Sequence, residues 1–157
     1  MAAYLDIETS FDGEITVIGI YLGTGKLVQL VGEEAGIERL GIALDGVKTL
    51  YTYNGSRFDL PLIVHQLGAD LAREYQCRDL MYDCWDNGLY GGLKKIEVQL
   101  GIPRTTHGIN GRDAMQLWQD YQNGNSIALG TLLLYNSEDV VNLSILRILL
   151  DLAGGQI

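Results

Sequence analysis

Ala3-Tyr4-Leu5-Asp6-Ile7-Glu8 opens the first of three runs rich in Val, Ile, Leu and Tyr, at residues 3–8, 14–22 and 26–32. Between them lie Phe11-Asp12-Gly13-Glu14 and Gly23-Thr24-Gly25, which are turn chemistry, so the stretch reads as a three-stranded antiparallel meander. Alternate side chains of a strand share a face, so Asp6 and Glu8 project together while Leu5 and Ile7 turn into the core. Two carboxylates side by side repel unless a cation separates them. The pair is therefore expected to hold at least one raised pKa without metal and to bind a hard divalent ion through oxygen. A solvated strand end would also carry such acids, but Asp6 is flanked by strand core on both sides.

Downstream, residues 34–44 place Ile37, Leu40, Ile42 and Leu44 at mostly helical spacing, and residues 48–53 read as a strand ending at Asn54-Gly55. A helix is predicted from about Asp59 or Leu60 to Gln66, with Pro61 tolerated in its first turn and Gly68 ending it. Residues 74–80 suit a further strand, and residues 92–100 a short helix closed by Gly101 and Pro103. A polar loop follows over 104–112. Asp113 is the expected N-cap of a helix over 114–121, and Ser126 that of a long apolar-faced helix, or a broken pair, reaching about Ala153. Strands first, then alternation, then helices, predict an α/β fold: a mixed sheet of antiparallel meander plus parallel strands, flanked by helices. With 157 residues and no linker or repeat, one domain over 1–157 is expected.

Cys77 and Cys84 match no zinc spacing and are too sparse for a secreted disulfide framework, so both are read as reduced and the protein as cytoplasmic. No run approaches the roughly 20 apolar residues that span a bilayer, and Met1 to Asp6 has neither a basic start nor an apolar targeting run. Membrane and export roles are not expected. The formal net charge is -9, an awkward balance for a protein that approaches a polyanion, since nucleic-acid affinity rests on Lys and Arg. Two divalent cations on four of the acids would bring it to -5. Lys94, Lys95, Arg104 and Arg112 are four of the eleven basic residues, concentrated in 19 positions, and form a local positive path.

Two more segments carry acids in suggestive places. Asp59 follows a buried-looking strand at a helix start, where a helix-dipole role is the simpler account of one acid. Tyr135 and Asp139 are i and i+4 on the long helix, so a phenol lies one turn from a carboxylate, with Leu129, Leu132, Leu133, Val140 and Leu143 on the core side. Asp6, Glu8, Asp59 and Asp139 together supply the carboxylates that two closely spaced divalent ions require. His65 and His107 are the only histidines and neither lies in a nucleophile motif, which leaves serine and cysteine hydrolase chemistry unsupported.

In this order the motifs resemble those of the DEDD superfamily of 3′-5′ exonucleases on the ribonuclease H-like fold. They are Asp6-x-Glu8, Asn54-Gly55-Ser56-Arg57-Phe58-Asp59 and Tyr135-x-x-x-Asp139. The tyrosine places the resemblance in the DEDDy branch. Gly92 to Glu97, Leu100 to Arg104 and Leu134 to Leu143 are similar to the YprB-type domains of that fold. The resemblance implies a 3′-5′ exonuclease of single-stranded DNA or RNA with two Mg²⁺ or Mn²⁺ ions. Asp6 would bridge them, Glu8 and Asp139 would hold the first, Asp59 would reach the second, and Tyr135 would orient, or help deprotonate, the attacking water.

Thr9, Asn54 and Phe58 adjoin the motif acids and are candidates to line the 3′-terminal nucleotide, Phe58 by stacking. Lys94 and Arg112, with Lys95, Arg104 and His107, are candidate phosphate contacts. Trp85 and Trp118 are read as packing residues, and Asp79 and Asp83 fall outside the metal set. Two other functions stay open on the same fold: an inactive nucleic-acid-binding or docking module, and a structure-selective endonuclease. The small size leaves room for a homo-oligomer or a partner protein in substrate capture.

Overall fold

The computed structural model describes residues 1–154; residues 155–157, the end of the domain expected over 1–157, lie outside the described residues. The strands β1 (Ala2–Thr9), β2 (Ile15–Leu22), β3 (Leu27–Val31), β4 (Thr49–Thr52) and β5 (Gln76–Asp79) form one sheet in the order β3-β2-β1-β4-β5. The first three make the antiparallel meander, and β4 and β5 join β1 in parallel. Both β4 and β5 are only four residues long, and the β1–β4 register ends at Tyr4–Tyr51. β1 therefore runs on past its parallel neighbour, and its second half has no strand partner on that side.

Strand alternation sorts the core into two layers. Leu5, Ile7, Ile18, Ile20 and Leu50 face α1 (Ile37–Ala43), α2 (Asp59–Leu67) and α3 (Leu71–Glu74), which bury Leu40, Ile63 and Leu71 against them. On the opposite face Tyr4, Tyr51 and Val17 meet α4 (Leu80–Asp86), α5 (Leu93–Leu100), α6 (Gly111–Gln122) and α7 (Ser126–Gly154). Asp6 and Glu8 share the face of Tyr4, so the sheet aims them at α7.

Helix α7 is a single unbroken helix, which settles the choice between one helix and a pair. Asn125 caps it, accepting from the Ala128 amide, while Ser126 already lies inside. The start of α6 also differs from expectation. Asn110, not Asp113, is its N-cap, and Asp113 completes a capping box by accepting from the Asn110 amide at 2.9 Å. The helix thus begins at Gly111, inside the segment expected as loop. The short helices α3 and α4 were not foreseen, because one or two turns hold too few apolar residues to show a period.

Candidate metal centre

β1 presents Asp6 and Glu8, and α7 crosses that face carrying Tyr135, Asn136 and Asp139. The crossing is close because Gly19 is the β2 partner of Asp6: a Cβ there would stand 2.1 Å from Asn136 Oδ1. With the strand bare at this point, the Asn136 amide enters the gap between helix and sheet. Its Oδ1 accepts from Gln29 Nε2 at 3.1 Å, and its Nδ2 reaches the Asp6 carbonyl at 3.3 Å, Asp6 Oδ2 at 3.4 Å and Glu8 Oε1 at 3.5 Å. Docked in this way, α7 brings Asp139 to the β1 acids. One oxygen each of Asp6, Glu8 and Asp139 lies within 4.8 Å of the others.

Asp59 sits beside this trio and outside it. It opens α2, is buried, and its Oδ2 accepts from the Ile7 amide at 3.0 Å, between Asp6 and Glu8 along β1. That amide lies where β1 has outrun β4, so the carboxylate stands in for the missing strand.

The acids are crowded and poorly hydrated. Burial, followed by the charges of Asp139, Glu8 and Asp59, holds Asp6 well above the usual carboxylate range. Glu8 is pushed up to about 8 by burial and Asp139, against the opposing pull of the Asn136 amide and Lys94. Burial raises Asp59 to about 7, partly offset by the Ile7 amide. The Tyr135 phenol is likewise driven upward by burial and by Asp139, Glu8 and Asp6, so it is protonated at neutral pH. Asp6 and Glu8, both resisting ionisation and converging with Asp139, fit a hard divalent cation.

Two cations already attend Asp139. Arg104, buried in the loop after α5, forms a two-point pair with Glu97, Nε to Oε2 at 2.7 Å and Nη2 to Oε1 at 2.6 Å, and donates from Nη2 to Asp139 Oδ1 at 2.5 Å. Burial opposes its charge, but the bonds to Glu97 and Asp139 more than offset this and keep it protonated. Asn142 completes the cluster, donating to Glu97 Oε1 and the Pro103 carbonyl, both at 3.2 Å. Lys94 Nζ lies 3.6 Å from the same Asp139 oxygen and 4.5 Å from the centroid of the Tyr135 ring.

A cleft of about 290 Å³ opens over the trio, with Thr9, Phe58, Lys94 and Tyr135 also in its walls. Arg112 is exposed on the first turn of α6, and Gly111 and Met115 of that helix line the cleft. Asn54 stands back from it, at φ 56°, with its amide bonded to Asp79 Oδ1 at 2.8 Å and its own Oδ1 buried without a partner among the described residues. Arg104, one of the candidate phosphate contacts, is committed to Glu97 and Asp139 and has no free face to offer.

The sequence left Asn136, Gly19, Glu97 and Asp79 unassigned. Asp79 caps α4 through the Met81 amide and fastens the Asn54 and Ser56 amides and the Ser56 hydroxyl. It thereby holds the second motif in place. Asn136 adjoins a motif tyrosine and Glu97 closes a segment similar to the YprB-type domains, but a single sequence does not say which side chain turns inward.

The profile of a family in the RNase_H superfamily matches residues 3–150. Among solved structures, the family B DNA polymerase from the hyperthermophilic archaeon Pyrobaculum calidifontis superposes with a TM-score of 0.68 over 88% of this chain, at 15% identity. The chain spans 23% of that polymerase's length, and the likeness is one of fold. No curated protein matches. The five-stranded mixed sheet with helices on both faces is the ribonuclease H-like α/β fold, and the chain belongs to the RNase_H superfamily.

Proposed function

We propose that this chain is a 3′-5′ exonuclease that hydrolyses phosphodiester bonds of single-stranded DNA or RNA with two divalent cations, Mg²⁺ or Mn²⁺. The observation that carries the reading is the convergence of Asp6, Glu8 and Asp139 within 4.8 Å beneath an open cleft, one helical turn from Tyr135. Asp6, Glu8 and Asp139 would hold one ion and Asp59 would help hold another. Bound ions of this kind lower the pKa of an attacking water and stabilise the departing 3′ oxygen. Tyr135, one turn from Asp139 on α7, would orient the attacking water by hydrogen bonding. Lys94, above the ring and beside Asp139, meets the scissile phosphate, with Thr9 and Phe58 against the terminal nucleotide and Asn54 shaping the loop behind. Arg112 meets the strand at the rim.

The reading is that of a cytoplasmic enzyme. Among the described residues no helix is long and apolar enough to cross a membrane. With a net charge of -9, capture of the strand falls to local basic residues, or to a second copy or partner protein.

The test is release of mononucleotides from 3′-labelled single strands of both sugars, with Mg²⁺, Mn²⁺ or EDTA, alongside a circular strand. Asp6→Ala or Asp139→Ala should abolish the release, and Tyr135→Phe should lower the rate more than the metal affinity. Undiminished release in either acidic variant would overturn the assignment. Cleavage of the circle would turn the reading to an endonuclease. The Arg104–Asp139 pair is the observation that favours an inert docking module, since it gives Asp139 a partner without metal. Calorimetric titration with Mn²⁺ decides between them, because an inert module has no need of the ion.

A further inference from the structure

Next to the cleft lies a group of side chains that neither the core nor the acidic trio explains. Tyr82 and Trp85, one turn apart on α4, meet edge to face with ring centroids 5.2 Å apart, and are 39% and 37% exposed. The Arg57 guanidinium hangs over both, 6.0 Å from the Tyr82 centroid and 5.9 Å from that of Trp85. Arg57 is in no ion pair among the described residues. Phe58, the next residue, is 44% exposed and forms part of the cleft wall.

The cluster is fixed to the cleft. Asp79 at the start of α4 binds the Asn54 and Ser56 amides and the Ser56 hydroxyl, so the loop bearing Arg57 and Phe58 and the helix bearing Tyr82 and Trp85 are tied at one carboxylate. The acids of α4 do not cancel the arginine. Asp83 is held by Arg78 through two bonds of 2.8 and 3.1 Å, and Asp83 and Asp86 line a separate depression with Arg78 and Arg147. What remains is a cationic, aromatic ledge on a protein of net charge -9, continuous with the cleft through Phe58.

We propose that Arg57, Tyr82 and Trp85 form a second binding surface, which grips the nucleotides of a single strand upstream of the one held at the acidic cleft. The proposal rests on the exonuclease reading for its direction. Flat aromatic faces take bases of any identity by stacking, and a guanidinium between them serves both base planes and backbone phosphates. The occupant is single-stranded nucleic acid, because a duplex hides its base faces and an apolar peptide has no use for the charge.

Two readouts test this on the whole protein. First, the tryptophan fluorescence of Trp85, one of two tryptophans, should be quenched by a single-stranded dodecamer in EDTA, and the quench should vanish in Trp85→Phe, which retains Trp118 as its one tryptophan. Second, the preference in kcat/KM for a dodecamer over a dinucleotide should fall about tenfold in Arg57→Ala and in Trp85→Ala, through KM, and be largely restored in Trp85→Phe. All three positions are at the surface, and a melting curve confirms that each variant is folded. A wild-type quench in EDTA with no cleavage in Mg²⁺ or Mn²⁺ would keep the ledge and sink the exonuclease. Normal cleavage with an unchanged length preference in both alanine variants, and no quench from Trp85, would overturn the ledge and spare the enzyme.

Discussion

Arg104 donates to Asp139 from the same nitrogen, Nη2, that binds Glu97, so one buried guanidinium couples α5, the loop after it and the acid of α7. The orientation of Asp139 at the acidic trio is thus set by Glu97, which reaches no other member of it. Pairing also tempers the trio's repulsion without filling it, because the guanidinium reaches only Oδ1. Glu138 anchors the loop from the other side, accepting from the Thr105 and Thr106 amides at 2.6 and 2.9 Å.

Arg104→Ala is expected to cost about 3–5 kcal/mol, because it strands the Glu97 carboxylate in the interior without a counter-charge. Arg104→Lys keeps the charge but loses the two-point grip, and should recover only part of that loss. Chemical denaturation of the three proteins checks the order. An alanine variant as stable as the parent would show that the network adds nothing to the fold.

Gly19 and Asn136 should behave as one unit. Gly19→Ala places a methyl against the Asn136 amide and is expected to cost about 1–3 kcal/mol by forcing α7 away from the strand. The same shift moves Asp139 from Asp6 and Glu8, so Mn²⁺ affinity should fall with stability. Asn136→Ala alone removes the amide bridge, but combined with Gly19→Ala it makes room for the methyl. The double variant should therefore be more stable than the sum of the single losses implies, as a denaturation cycle would reveal.

This pair also marks how far the sequence could be read. The meander, Asp6 and Glu8 on one strand face, and Tyr135 and Asp139 on one helix face all follow from periods of two and near four, which a sequence displays directly. The junction of strand and helix has no such signature. Gly19 looks like an interruption of β2 until α7 is seen lying across it, and Asn136 looks like the polar neighbour of a motif tyrosine. Arg104 misled for the converse reason: a basic residue in a polar loop suggests solvent or phosphate, and only the packing of Glu97 and Asp139 around it shows that the loop dives inward. Asp113 was recognised as a helix-start residue but belongs three positions inside the cap, because the reciprocal bonds with Asn110 fix the true boundary.

The pH dependence of the metal-free protein follows from the raised acids. Glu8 at about 8 and Asp59 at about 7 keep their protons in the fold, while the unfolded chain releases them near an ordinary pKa of about 4. Between those limits the unfolded state binds fewer protons, so the contribution of these groups to stability falls as pH rises and is lowest above about 8. Glu138, whose pKa the Thr105 and Thr106 bonds hold down, contributes oppositely, with stability that is lost as the medium turns acidic. A bound cation cancels the penalty at the trio. The rise in melting temperature on adding Mn²⁺ should therefore grow from pH 5 to pH 8, and a rise that is flat or shrinks with pH would contradict it.

Asp6→Ala separates a functional acid from a structural one. Burial and the charges of Asp139, Glu8 and Asp59 make Asp6 costly to ionise, and the Asn136 amide donates to its side chain only at a long 3.4 Å. The Asp6 carbonyl, which Asn136 also contacts, survives the substitution. Without metal the variant should melt at or above the temperature of the parent, since the like-charge crowding is relieved. With Mn²⁺ the order should reverse, because the parent gains a ligand-linked increment that the variant lacks. Parallel thermal melts in EDTA and in Mn²⁺ give both comparisons. A large loss in EDTA would mean that Asp6 supports the fold, whereas equal gains in Mn²⁺ would mean that the ion binds elsewhere.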